Sequence, residues 1–307
     1  MTASERLGPA VLRGLRFLHD SQRPYGEFRT YASPSIDLSV AFSDSSVFVT
    51  TFVLYSITSI DSPCGTTVTN KAIAFLREEM RGTGLFQYYT SKNAKSIGFD
   101  LDDTACASVV LRQSHPVLDD GQNVEYFLEN RDEAGRFYTW VGGEAVENDI
   151  DSIVNANVVL YLGDRDETRG AIRYLIDTIK GGCESVSYRY YLDDMTLYYA
   201  VSRAYAQGVS SLRGARETTM EKVIQRSKDD GSFGDELVTA CAVCSLANLG
   251  YDGVRRLREA ARYLEGRQRA DGSWRRVAMF CQPGMYYGSE ELTTALCLEA
   301  LTHVAEM

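Results

Sequence analysis

The sequence repeats one plan six times, and this repetition limits the folds open to the chain more than any other feature. Each copy contains a helix with a stripe of Leu, Tyr and Phe, a turn, an acidic step and an apolar helix rich in small residues. A period of roughly 45–50 residues built from two helices predicts stacked helical hairpins. The copies pair 11–28 with 44–57, 71–89 with 100–111, 123–140 with 148–163, 171–182 with 191–208, 221–233 with 234–250 and 260–274 with 288–304.

The two helices of each copy differ in polarity. The second helices are rich in Ala, Thr, Cys and Val and carry few charges beyond their first turn, whereas the first helices carry Arg, Lys and Glu. Helices that are apolar on all sides are buried, so the second helices should form an inner ring. We therefore predict an all-α protein, an (α/α)6 double-helical barrel of six helical hairpins. Residues 1–307 should form one domain, since no Pro/Gly/Ser-rich linker interrupts the repeats.

Every predicted inner helix begins with acidic residues. Carboxylates at helix N-termini accept hydrogen bonds from free N–H groups and interact favourably with the helix dipole, which explains most of these residues. All six N-termini should lie at one end of the barrel, so we expect any functional site at that end. The acidic residues are Asp44, Asp100, Asp102, Asp103, Asp149, Asp151, Asp193, Asp194, Asp235, Glu236, Glu290 and Glu291.

One acidic step contains three aspartates, Asp100, Asp102 and Asp103, which is more than a helix cap requires. An alignment of the repeats on their small-residue cores places Asp102 opposite Asp151 and Asp193. Like charges this close cannot all ionise at low cost, and desolvation in an aromatic-lined cavity would add to the effect. At least one pKa should therefore rise, which would leave a carboxylic acid able to donate a proton to a weak base.

The segment 100–105, Asp-Leu-Asp-Asp-Thr-Ala, resembles the DxDD motif of class II terpene cyclases and of the related squalene–hopene cyclases. The ends of several outer helices are similar to the QW repeats of that family. The clearest of these is 268–274, and weaker forms occur at 22–28 and 225–233. Through the repeats, the resemblance covers nearly the whole chain.

This resemblance implies a cyclase in which Asp102 protonates an alkene or an epoxide, with Asp100 and Asp103 as its flanking partners. It also implies an aromatic pocket that guides a carbocation, because aromatic faces stabilise cations without reacting as nucleophiles. For each aromatic residue, packing in the core is the alternative explanation. The predicted substrate-binding residues are Phe86, Tyr88, Phe99, Asn155, Tyr191, Tyr198 and Tyr287; Asn157, like Asn155, lies on a predicted inner helix.

The chain departs from the family in two respects. It has length for one helical domain, whereas the class II enzymes have a second domain that closes the cavity. A smaller substrate, a pocket within one barrel or a second subunit would compensate, so a homo-oligomer is one expectation. The hopene cyclases pair their acid with a histidine, and this sequence offers His19, His115 and His303. His115 should lie near the far end of the helix that begins at Asp102, out of reach.

The resemblance implies a small isoprenoid substrate, either a prenyl diphosphate or a prenylated small molecule. Proton-initiated chemistry requires no cofactor, although Mg²⁺ would help to bind a diphosphate. Lys92, Lys95 and Arg189 are basic residues in the turn regions that would serve the same purpose. Surface exposure to solvent is the alternative explanation for these three residues.

The composition excludes several partners. A net charge of −10 argues against nucleic-acid binding. The sequence has no run of about 18 apolar residues and no signal-peptide pattern at its start, so we predict a cytoplasmic protein without a membrane span. Seven cysteines, an odd number, indicate reduced thiols. Cys241 and Cys244 form a CxxC within an apolar helix and are interpreted as core thiols, so no metal site is predicted.

Other functions of the same barrel remain open. A class I synthase needs an acidic DDxxD cluster, and no Asp pair here is followed by an Asp at that spacing. Protein prenyltransferase β subunits and lanthionine cyclases need zinc ligands, and no Cys–His constellation is visible. A glycosidase would combine Asp102 with Asp193 or Glu290, but two tryptophans offer little sugar stacking. A non-catalytic terpenoid-binding barrel is the remaining alternative.

Overall fold

Outer and inner α-helices alternate along the chain. The computed structural model describes residues 7–114, 122–143 and 148–307, and these ranges contain twelve α-helices. The outer helices are α1 (Pro9–Ser21), α3 (Pro63–Glu79), α5 (Val124–Glu129), α7 (Arg169–Gly181), α9 (Arg213–Gln225) and α11 (Val254–Arg267). The inner helices are α2 (Val47–Ile57), α4 (Leu101–Ser114), α6 (Ser152–Leu162), α8 (Asp194–Ala206), α10 (Glu236–Asn248) and α12 (Glu290–Ala305). His115 lies outside the described residues.

The inner helices form a closed ring. Each contacts the next, from α2 through α4, α6, α8 and α10 to α12, and α12 packs against α2. All residues of α6 are buried, whereas α7 and α11 bury only a stripe of apolar side chains. The predicted (α/α)6 barrel is therefore confirmed, and burial explains why the inner helices carry few charged residues beyond their first turns. No helix within the described ranges has the length and apolar character needed to cross a membrane.

Two of the turns that resemble QW repeats make the same kind of contact. The Gln22 side-chain amide donates to the carbonyl four residues on and to the Val68 carbonyl of α3, both at 3.0 Å. The Gln268 amide donates to the carbonyl four residues on and to the Ala10 carbonyl of α1, both at 2.9 Å. Each glutamine thus ties the end of one outer helix to another outer helix. The Gln268 contact joins the last repeat to the first.

A four-stranded antiparallel sheet, which the sequence did not predict, lies at the acidic end of the barrel. Its strands are β1 (Thr30–Ser33), β2 (Phe42–Asp44), β3 (Val277–Gln282) and β4 (Met285–Ser289), in the order β2-β1-β4-β3. The pairing of β1 with β4 connects the first and last repeats. Tyr191, just before α8, forms a bridge to Phe280 of β3. The two longest strands, β3 and β4, do not alternate strictly between apolar and polar residues, so the usual sequence signal of a strand is missing.

Acidic side chains cap several inner helices, as predicted. Asp151 accepts from the first backbone N–H groups of α6, Asp193 from that of Met195 in α8, and Asp235 from that of Val238 in α10. Each cap satisfies a backbone donor that has no partner inside its helix.

These caps correct the alignment of the repeats. Asp100 accepts from the Asp103 N–H at 2.7 Å, so it is the cap of α4 and corresponds to Asp151 and Asp193. Asp102 is instead the second residue of α4. Ser289 caps α12, which makes Glu291 the counterpart of Asp102 in the last repeat. The earlier alignment was wrong because apolar cores of similar composition do not define the helix start.

Candidate active site

A pocket lies at the N-terminal end of the inner helices, beside the four-stranded sheet. It contains about 480 Å³ of empty space, its open mouth included. Asp100, Asp102 and Asp103 of the acidic step line it together. The rest of the wall is mainly aromatic and consists of Phe48, Tyr88, Trp140, Tyr190, Tyr191 and Phe280, with Thr139, Val154, Cys281 and Gln282. The three predicted acids, Tyr88 and Tyr191 are therefore brought together in one place.

Asp102 is held by residues from two other repeats. Asn157 of α6 donates to Asp102 Oδ1 at 2.7 Å, and the Tyr191 hydroxyl lies 2.5 Å from Oδ2. A phenol hydroxyl both donates and accepts, so this contact also suits a protonated carboxyl that donates to Tyr191. Only 8% of Asp102 is exposed. The arrangement fixes the direction of the carboxyl and keeps it accessible from the pocket.

A buried arginine lies behind Asp102. Arg203 of α8 donates to Asn157 Oδ1 at 2.6 Å, and its guanidinium lies 4.7–5.0 Å from the ring centres of Phe52, Tyr55 and Tyr199. Only 2% of Arg203 is exposed. The aromatic rings replace part of the hydration that the cation loses on burial. Asn157 thus connects a fixed positive charge to the Asp102 carboxyl.

Opposing effects determine the acidity of Asp102. Burial raises the pKa of Asp102, while hydrogen bonds from Tyr191 and Asn157 and the charge of Arg203 act to lower that pKa. Burial favours the protonated form, and the donors and the cation stabilise the carboxylate that remains after the proton leaves. Such a group combines retention of a proton with the ability to release it.

Asp100 and Asp103 bond to each other rather than to Asp102. Burial raises the pKa of Asp100 to about 7, and burial together with the charge of Asp100 raises the pKa of Asp103 well above its usual range. The Asp103 backbone N–H donates to Asp100 Oδ1 at 2.7 Å, and Asp103 Oδ1 has no hydrogen-bond partner among the described residues. Two adjacent buried carboxyls cannot both ionise at low cost, so the pair retains a proton next to Asp102.

The remaining predicted substrate-binding residues lie outside the pocket wall. Phe86 belongs to a separate hydrophobic cluster, and the Tyr198 hydroxyl donates to Glu184 at 2.9 Å. Phe99 is half-buried, and its carbonyl accepts from the Val141 N–H. Tyr287 stacks on Phe280, with ring centres 5.3 Å apart, and supports the wall from behind.

Asn155 has a structural role in the barrel. Its amide exchanges hydrogen bonds with the backbone of Phe137 at 2.8 and 2.9 Å, and it donates to the Asp151 carbonyl at 2.8 Å. Through these bonds the Asn155 side chain holds the backbone of the segment that precedes α6. Asn157, two positions later, is the asparagine that contacts Asp102.

Sequence reasoning missed Arg203, Phe48 and Trp140. Arg203 had a signal, since it is a charged residue in the interior of a helix whose other residues predict burial. Phe48 and Trp140 had no distinguishing signal, because apolar residues near a helix start are equally typical of core packing. Asp193 and Glu290, the partners considered for a glycosidase, are ion-paired with Arg226 and Arg276 and do not line the pocket with Asp102.

Buried carboxyls at this end should make the stability of the protein depend on pH. Burial raises the pKa of Glu291 to about 7, and Glu291 Oε2 has no hydrogen-bond partner within the described chain. A carboxyl with a higher pKa in the folded state binds its proton more tightly when folded. It therefore stabilises the protein at low pH, and this contribution is lost as the pH rises through about 7.

Glu291→Gln tests this dependence. Urea unfolding of the wild type should give a free energy of unfolding that decreases between about pH 5 and about pH 7, by up to about 1.4 kcal/mol per pH unit for each proton retained. In Glu291→Gln the free energy of unfolding should decrease less steeply with pH, by the contribution of one proton. Equal slopes in the two proteins would contradict the assignment.

The fold of this chain matches solved structures of cyclases. The type II terpene cyclase MstE from Scytonema, without ligand, has a TM-score of 0.78 at 16% identity, over 98% of this chain and 99% of that chain. An MstE variant in complex with its substrate geranylgeranyl dihydroxybenzoate gives 0.77 at 16% identity, over 99% of both chains. The ent-copalyl diphosphate synthase from Streptomyces platensis gives 0.61 at 16% identity, over 85% of this chain and 50% of that chain. These neighbours are type II terpene cyclases, and at such identities the similarity shows a shared fold. No protein-family profile and no curated protein matches the sequence.

Proposed function

We propose that this protein is a class II terpene cyclase in which Asp102 is the general acid. The observation that carries the proposal is a buried carboxyl of raised pKa that faces an aromatic pocket and is held by Tyr191 and Asn157. The cyclase fold supports it, because structural neighbours with this ring of helices are type II terpene cyclases. One barrel would then form the whole active domain.

The reaction would begin with transfer of the Asp102 proton to one carbon of an alkene or to an epoxide oxygen. The alkene π electrons form the new C–H bond, and the adjacent carbon becomes a cation. A further double bond of the substrate attacks this cation and closes a ring. Phe48, Tyr88 and Phe280 would stabilise the positive charge through their ring faces. Loss of a proton or capture of water ends the sequence.

The surroundings of Asp102 suit this step. Hydrogen bonds from Asn157 and Tyr191 stabilise the carboxylate that proton transfer leaves, and Arg203 balances its charge through Asn157. Groups that are already oriented toward developing charge need no reorganisation during the reaction. We assign Asp100 and Asp103 a supporting role, in which their shared proton limits the negative charge next to Asp102.

Basic side chains near the pocket favour a head group other than a diphosphate. Lys92 Nζ lies 3.6 Å from Glu79 Oε1, and Lys95 Nζ lies 3.1 Å from Asp44 Oδ2. Both lysines considered for diphosphate binding therefore already have acidic partners. Arg189 is exposed beside the pocket-lining Tyr190 and joins no ion pair within the described ranges. A single guanidinium balances the one charge of a carboxylate, whereas a diphosphate carries several charges. We therefore propose a prenylated carboxylic acid as the substrate class; the substrate of the MstE neighbour, geranylgeranyl dihydroxybenzoate, is an aromatic acid of this class.

A substrate comparison tests both the reaction and the head group. Purified protein should be incubated, with and without EDTA, with geranylgeranyl dihydroxybenzoate and with farnesyl and geranylgeranyl diphosphates. We expect EDTA-resistant products of unchanged mass, with kcat/KM for the aromatic acid at least about tenfold higher. Preferred turnover of a diphosphate would contradict the head-group proposal alone. Release of diphosphate would indicate a class I reaction, and ligand-induced stabilisation without turnover would indicate a binding barrel.

A further inference from the structure

A second cluster of reactive side chains lies at the opposite end of the barrel. Cys244 of α10 and Glu299 and His303 of α12 each offer one ligand atom, and these three atoms lie within 4.8 Å of one another. Cys244 and Glu299 are buried, and His303 is half-buried. The sequence indicated a core thiol at Cys244, and the packing of α10 on α12 places this thiol beside Glu299 and His303.

The cluster opens on a pocket that the proposed reaction does not use. This pocket, the base pocket, contains about 800 Å³ of empty space with its open mouth included. It lies where the inner helices end and is lined by Tyr55, Thr58, Ser59, Gln113, Ala206, Gln207, Asn248, Glu299 and His303. Two of the three residues of the cluster, Glu299 and His303, therefore line a pocket that is open to solvent.

The donor set suits a divalent transition metal. Thiolate, imidazole and carboxylate are the protein ligands of zinc, and three of them with an open fourth position are typical of exchangeable zinc sites. Glu299 and His303 are four residues apart on α12, so they share one face of the helix. The C-terminal ends of helices carry partial negative charge, which favours a cation at this end of the barrel.

A hydrogen bond from Tyr199 also orients the Glu299 carboxylate. The Tyr199 hydroxyl donates to Glu299 Oε2 at 2.7 Å, in the manner of the outer hydrogen bonds that position metal-binding carboxylates.

We propose that Cys244, Glu299 and His303 form a binding site for Zn²⁺ at the base of the barrel, with a fourth position open to water in the base pocket. The ion would join α10 to α12 at the opposite end of the inner helices from the pocket that Asp102 lines. The site does not depend on the proposed function, and EDTA should leave the protonation step intact while it removes the ion.

Metal titration of the full chain tests the site. The purified protein, stripped with EDTA and dialysed, should bind one Zn²⁺ per chain by elemental analysis, and Zn²⁺ should raise its melting temperature. Co²⁺ should produce the near-ultraviolet charge-transfer band of a cobalt–thiolate bond. Cys244→Ala should abolish this band, and His303→Ala should weaken Zn²⁺ affinity by roughly 100-fold or more.

Cys241→Ala is the matched control, because Cys241 is a buried cysteine of the same helix outside the cluster. It should retain both the cobalt–thiolate band and the Zn²⁺ affinity. His303→Ala changes a half-buried side chain, so it reports on the site even if Cys244→Ala folds poorly. Substoichiometric Zn²⁺, or equal affinity in wild type and His303→Ala, would overturn the proposal.

Discussion

Asp102→Asn should reduce the rate of cyclisation by about 10³-fold or more, the upper range for removal of a positioned general acid. The asparagine has nearly the shape of the aspartic acid and keeps a side-chain oxygen for a hydrogen bond with Tyr191 or Asn157. It has no proton to transfer to an alkene. Substrate binding should change little, so the loss should appear in kcat rather than in KM. Single-substrate kinetics with the best substrate from the comparison above provide the measurement.

Asp235→Asn is the matched control for this prediction. Asp235 caps α10 at the same end of the barrel, and asparagine is an equally good capping residue. This variant should retain nearly full activity. Wild-type kcat/KM should fall as the pH rises through the pKa of Asp102, because only the protonated form initiates the reaction. Activity of Asp102→Asn close to that of Asp235→Asn would contradict the assigned acid.

Arg203→Met should destabilise the protein by about 3–5 kcal/mol, the cost of removing one member of a buried charged network. It would leave Asn157 Oδ1 without its donor and Glu299 without a nearby cation. Methionine keeps much of the volume between the aromatic rings, so the loss reflects charge and hydrogen bonding more than a cavity. Urea unfolding measures the change.

The dependence of kcat/KM on pH distinguishes a role of Arg203 in setting the acidity of Asp102 from a purely structural role. Its charge lowers the pKa of Asp102, so Arg203→Met should raise that pKa and move the alkaline decline in kcat/KM to higher pH. The maximal rate should also decrease, because the carboxylate is less stabilised after proton transfer. Arg203→Lys keeps the positive charge and should partly restore the profile. An unchanged profile in Arg203→Met would leave Arg203 a structural residue only.

The fold was predictable because it depends on averaged properties of long segments. In the described residues, six buried inner helices alternate with six more polar outer helices, and the ring that buries the first set satisfies both patterns. The sheet was not predictable in the same way. Its strands lie within loops before α2 and α12, and the pairing of β1 with β4 joins segments from the two ends of the sequence.

The candidate site was only partly predictable. The run from Asp100 to Asp103 marked the acidic step, since local crowding of carboxylates is visible in any reading of the sequence. The different roles of Asn155 and Asn157 were not visible. Both are fully buried on α6, but one faces the Phe137 turn and the other faces Asp102.

The sequence by itself determined the repeated helices, the end of the barrel where acids collect and the position of Asp102. These follow from periodicity and from local charge, which neighbouring residues carry. The tertiary structure alone decided which groups set the acidity of Asp102 and which meet Cys244. Tyr191 and Arg203 lie on a different repeat from Asp102, and His303 lies on the repeat that follows that of Cys244. The packing of successive inner helices brings such residues together, because hydrogen bonds and metal coordination act over a few ångströms of space irrespective of separation along the chain.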